Sequence, residues 1–208
     1  MGSKNYSNNV FINCPFDEDY AHLREAIIFV IFDCGFIPRC ALEEDNSGNV
    51  RFDKIQKLIS ESKYGIHDIS RTELDNSTNL PRFNMPLELG VFIGAKRYGS
   101  NQQKVKNCLI LDKDRYRYQT FISDIAGHDI RAHSNDQSEI ITHIRNWLNS
   151  SSNRKTIPGG SEILRRYNMF KKDLPKLCEE VKITVDELTY NDYTNFISIW
   201  LKENNSSL

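Results

Sequence analysis

The strongest constraint on the fold is an alternation. Short apolar runs of strand length recur along the first 150 residues, each followed by a segment with apolar side chains at helical spacing. Val10–Asn13 is the first such run and ends at Cys14-Pro15. Tyr20 to Cys34 follows with Leu23, Ala26, Ile27, Val30 and Ile31 on a helical period, and Gly35 is its stop. Phe36–Ala41 predicts a second strand, and Pro38 inside it predicts an edge position, because proline has no N–H to give a neighbour. Arg51–Ser62 is amphipathic through Ile55, Leu58 and Ile59, and Tyr64–Ile69 is a third strand. A polar loop, 70–83, leads to a helix that opens with Met85, Pro86 and Leu87. Cys108–Leu111 and Asp129–Ala132 complete the strands, and Gln137–Leu148 is a helix with Ile140, Ile141, Ile144 and Trp147 on one face. Five alternations predict an α/β fold, an open parallel sheet of about five strands with helices on both faces.

Residues 1–9 are polar and are expected to be a disordered N-terminus. A run of Asn and Ser followed by Pro158-Gly159-Gly160 marks a linker at about 149–160. Beyond it, Ser161–Leu177 and Asn191–Asn204 read as a helical C-terminal extension, 161–208. The second of these carries Tyr193, Phe196, Ile197, Trp200 and Leu201 as a stripe. The stripe packs on the α/β domain, on a second copy of the chain, or on a partner protein.

The chain of 208 residues is 39% hydrophobic and 26% charged, as expected of a folded domain, and its net charge of −1 provides no global attraction to nucleic acid or an anionic membrane. Its five cysteines form no C-x-x-C pair and most sit in apolar runs, the usage of a reducing compartment. Neither a signal peptide nor a membrane span is legible, since the longest apolar stretch is Ala26–Phe32, so a cytoplasmic location is expected.

Ligands of open parallel sheets bind beyond the carboxyl ends of the strands. That rim is expected to collect Asn13, Pro15, Phe16, Asp17, Asp19 and Tyr20 after the first strand, and Arg39 after the second. It also collects Asp68, Ser70 and Arg71 after the third strand, Asn84, Met85 and Glu88 at the next helix, and Asp112 to Arg115 after the fourth strand. Glu88 is the leading candidate. It is placed in the first turn of a helix of apolar and small residues expected to be largely buried, where it either caps the helix or faces a ligand. Asp68 faces a ligand or pairs with Arg71. His67 is expected to be structural, and one of Asp17 and Asp19 is expected to cap the first helix. Arg39 calls for a phosphate or a carboxylate partner. No G-x-G-x-x-G, P-loop or G-x-S-x-G motif is present, and the His and Cys residues lack zinc spacing, so metal-free, acid-centred chemistry is expected.

The segments Val10–Asp19, Tyr64–Arg71 and Asn84–Gly94 (NMPLELGVFIG) resemble the TIR-like predicted nucleotide-binding proteins and the nucleoside 2-deoxyribosyltransferases, over roughly Val10 to Leu148. The resemblance implies a flavodoxin-like fold and a catalytic glutamate, here Glu88, acting at the anomeric carbon of a ribose or deoxyribose. It implies cleavage of the nicotinamide–ribose bond of NAD, often within bacterial defence systems, or nucleotide binding without cleavage, or deoxyribosyl transfer. NAD or a related nucleotide would be substrate, with no resident cofactor. Asp68 with Asp17 or Asp19 would hold ribose hydroxyls, Arg39 or Arg71 would meet phosphate, and Phe16 or Tyr20 would stack on a base. Self-association is also implied. Two features depart from the pattern: Cys14-Pro15-Phe16-Asp17 stands where true TIR domains carry a serine-rich loop, and the loop Thr72–Phe83 matches neither branch.

Overall fold

A computed structural model describes residues 5–74, 79–154 and 156–205. Five strands, β1 (Asn9–Asn13), β2 (Ile37–Arg39), β3 (Tyr64–Asp68), β4 (Asn107–Asp112) and β5 (Arg131–Ala132), form one parallel sheet in the order β2-β1-β3-β4-β5. Helices α1 (Glu18–Asp33) and α5 (Gln137–Ser151) cover one face. Helices α2 (Arg51–Ser60) and α3 (Asn84–Tyr98) cover the other, followed by the single turn α4 (Asn101–Lys104). This is a flavodoxin-like arrangement, and β2 with Pro38 lies at the edge.

Strand alternation feeds both layers. Val10, Ile12, Tyr64, Ile66, Leu109 and Leu111 join the cluster under α1 and α5, while Phe11 packs with Ile55, Leu58, Ile59 and Phe92 under α2 and α3. Gly65 is required by that second contact: a Cβ there would lie 2.7 Å from the Phe92 ring. On the opposite face, α1 closes on Gly35 at φ +78°. The Gly35 N–H donates to Phe32 O and the Phe36 N–H to Ile31 O, which satisfies the last carbonyls and turns the chain into β2.

Helix α1 is buried nearly all round because a third layer covers it. Helices α6 (Gly160–Glu180) and α7 (Tyr190–Asn205) lie on its outer side, where Phe29 meets Tyr167, Phe170 and Trp200 at 5.4 Å, 5.5 Å and 6.1 Å between ring centroids. That accounts for the uninterrupted apolar run of α1: a helix buried on every side needs no polar face. The stripe Tyr193, Phe196, Ile197, Trp200 and Leu201 is thus buried inside the chain. Arg166 of α6 adds a buried ion pair, 3.1 Å from Asp33 at the end of α1.

Several boundaries differ from expectation. Asn9 belongs to β1, and Tyr6, assigned to a disordered N-terminus, is buried, with its hydroxyl donating to Gln102 O. Residues 1–4 lie outside the described residues. The segment joining the domain to the tail is 152–159, shorter than 149–160, because α5 runs on to Ser151. Strand β5 has only two residues. Helix α3 is not largely buried. Only Met85, Leu89 and Phe92, spaced four and three apart, are buried, with Val91, Ile93 and Ala95 packed at the edges, while Leu87 on the outer side is 55% exposed. Its even apolar composition conceals which face is covered.

Candidate functional site

Strand order reverses between β1 and β3, so the loops leaving these two strands part at their carboxyl ends and open a crevice there. Asp17 caps α1, its Oδ1 accepting from Tyr20 N at 3.0 Å. Arg71, from the β3 side, reaches over to the same oxygen at 2.8 Å and to Asp19 at 3.4 Å, bridging the crevice. Arg24 of α1 donates to Pro15 O at 3.3 Å and holds the loop from below. The Phe16 ring has the Arg24 and Arg51 guanidiniums 5.9 Å and 5.8 Å from its centroid, so a base stacking on Phe16 would share the ring with a cation.

Asp68 is wholly buried beneath this rim. Its Oδ2 accepts from the Tyr20 hydroxyl and lies 3.0 Å from His133 Nε2, and its Oδ1 accepts from Ser70 N at 2.8 Å. Burial alone would raise its pKa; His133, the Ser70 N–H and the Tyr20 hydroxyl outweigh burial and hold the carboxyl below its usual range. Asn135 N donates to His133 Nδ1 at 3.1 Å, which leaves Nε2 as the ring nitrogen turned to Asp68. The expected partner of Asp68, Arg71, is spent on Asp17 and Asp19 instead.

Asn13 is also buried and committed, with Nδ2 donating to Met85 O at 2.8 Å and lying 3.1 Å from His67 Nδ1. This ties the end of β1 to the start of α3. His67 is structural, and burial, with Lys106 nearby, pushes its pKa down to about 3. Met85 anchors α3 in the cluster of Ile69 and Leu89, while Asn84 is exposed at the helix start. Arg39 has carboxylate partners: Glu43 at 2.7 Å and Glu61 at 3.3 Å.

Glu88 lies in the second turn of α3, since the helix begins at Asn84, and so it is not a cap. Among the described residues it makes no hydrogen bond or ion pair. Burial pushes its pKa up to about 7, with the Arg51 guanidinium pulling against the shift. The first-turn placement implied a carboxylate kept ionised by the helix N-terminus; one turn further in, partial burial dominates. The Glu88 charge is felt at the buried Cys14 thiol, whose pKa rises well above its usual value, chiefly through burial. Asn13, at the end of β1, bonds Met85 O three residues before Glu88, which sets the start of α3 beside the carboxyl end of β1.

On the α1 side opens a pocket of about 260 Å³, lined by Asp19, Tyr20, Ser70 and Arg71 together with His22, Leu23, Glu73, Lys113 and Asn135. The first four were expected there. Lys113 was expected on the rim as well. His22 and Asn135 were not, nor was His133, buried below them against Asp68, and no local signal marks these three, because they come together only once β5 and α1 are in place. Arg117 was missed as well: it donates to Asp112 Oδ1, Ile69 O, Ser70 O and Thr72 Oγ1, pinning the start of the loop after β3. Residues 75–78 of that loop lie outside the described residues.

Among the described residues no cluster of three His, Cys, Asp or Glu side chains could hold a metal ion, and no helix is long and apolar enough to cross a membrane. Fold and rim define an open parallel α/β protein of the flavodoxin-like class, with a carboxylate-bearing crevice at the point where strand order reverses. No protein-family model matches the chain, and comparison with curated proteins finds no match.

Proposed function

We propose that the protein cleaves the N-glycosidic bond of a nucleotide, with NAD as the leading substrate. The observation that carries this reading is Glu88, a partly buried carboxyl without a hydrogen-bonding partner among the described residues, at the ligand edge of the sheet. In NAD the bond from the ribose C1′ to the pyridinium nitrogen breaks with its electron pair leaving on nitrogen. Nicotinamide then departs neutral and needs no acid. Ionised Glu88 stabilises or captures the sugar cation, and water completes hydrolysis at C1′. The pocket beside Tyr20 and Arg71 takes the remainder of the nucleotide, and Lys113, which makes no ion pair among the described residues, is placed to meet phosphate. Incubation with NAD followed by assay for free nicotinamide tests the reading, with Glu88→Gln as the control.

A second reading is a nucleotide-binding module without cleavage, and it rests on one observation: Glu88 is not among the residues lining the pocket. Saturable binding of NAD with no nicotinamide released by wild-type protein supports that reading against the first.

A further inference from the structure

Strand β4 is only half paired on the side away from β3. The Asn107 N–H donates to Lys63 O and the Leu111 C=O accepts from Ile69 N, so both residues face β3. Strand alternation turns Cys108, Ile110 and Asp112 the other way, as the bond from His133 N to Asp112 O shows. Pairing with β5 extends only over Leu111 and Asp112, so Cys108, paired with Gly65 in β3, has no strand partner on its outer side among the described residues. Cys108 lines a groove of about 600 Å³.

The walls of the groove are chemically one-sided. Ile93 and Cys108 provide apolar surface, and Lys96, Arg97, Lys104 and His128 line the rest, with no acidic side chain among the lining residues. Lys96, Arg97 and Lys104 make no ion pair among the described residues. Cations in the last turn of α3 favour the helix dipole, which accounts for Lys96 and Arg97 singly. It does not account for Lys104, from the next element, opening on the same groove.

We propose that this groove docks an extended acidic peptide segment of a partner protein, added as a strand to the free half of β4. The outer side of the main chain at Cys108 supplies the hydrogen-bonding template, and Lys96, Arg97 and Lys104 select acidic side chains along the added strand. The proposal is independent of the glycosidase reading, since no residue of the crevice takes part.

A labelled peptide alternating Glu and Val is the probe, followed by fluorescence anisotropy against the full chain. Binding that weakens with salt is expected, together with slowed hydrogen exchange at the Cys108 amide. The Lys96→Glu, Arg97→Glu double variant, checked for an unchanged melting temperature, is expected to bind about tenfold more weakly or worse. Should that variant fail to fold, the same peptide with Lys in place of Glu carries the charge test and is expected not to bind. N-methylation of the valines, which keeps the charge but removes the N–H donors, is expected to abolish binding. Absence of binding, equal binding of the N-methylated or Lys-bearing peptide, or equal binding by the folded double variant each overturns the proposal.

Discussion

His133 Nε2 lies 3.0 Å from Oδ2 of Asp68, and both side chains are wholly buried. The contact joins the end of β3 to the segment after β5, with Tyr20 of α1 as a third member. Asp68 thereby organises the floor of the crevice and has no oxygen turned to solvent. The Asp68→Asn variant is expected to lose about 2–4 kcal/mol of stability at neutral pH. Because the folded pKa is depressed, the stabilisation is present above the ordinary Asp range and is lost as pH falls through the folded value. The gap between variant and wild type should therefore narrow in acid. Equal melting temperatures at pH 7 would remove Asp68 from the core network.

Glu88→Gln is expected to lower NAD cleavage by about 100-fold or more while leaving the fold intact. It also has a signature that does not depend on activity. The Glu88 pKa is raised from 4.5 to about 7, so its contribution to stability is fully present below 4.5 and is lost as pH rises through 7. Gln does not titrate. The variant should match wild type near the ordinary Glu range and exceed it above neutrality, by about 1 kcal/mol given partial exposure. Parallel melting curves across pH would show Glu88 to be solvated like any surface acid.

The same titration predicts a rate profile. Nicotinamide needs no proton to leave, so the ionised form of Glu88 is the active one, and the rate should climb with pH and level off above about 7. A rate falling over that interval would assign Glu88 the role of a proton donor and point to a different leaving group.

Removing Arg166 strands a buried acid. Asp33 already has its pKa raised to about 6, because burial outweighs the pull of Arg166. The Arg166→Met variant is expected to cost about 3–5 kcal/mol and to loosen α6 from α1, read as denaturant stability and as protease cleavage within 152–159. Adding Asp33→Leu should restore much of the loss. A double variant no better than the single one would mean that the tail is held by its aromatic contacts alone.

Periodicity was enough to reveal the sheet, its edge strand at Pro38 and the tail stripe around Trp200. Burial on a strand or helix repeats every few residues, so the order of side chains records it locally. The buried face of α3 left no such record, because apolar and small residues surround that helix on all sides, and the covering strands alone select Met85, Leu89 and Phe92. Charge partners were the least legible feature. Arg71 turned to Asp17 and Asp19, Arg39 to Glu43 and Glu61, and Asp68 to a histidine after β5. The rim on which these groups gather follows from strand direction, which the chain's alternation sets. Which acid each base meets depends on how loops far apart in sequence converge, and a buried carboxylate takes whichever donor the packing brings within reach.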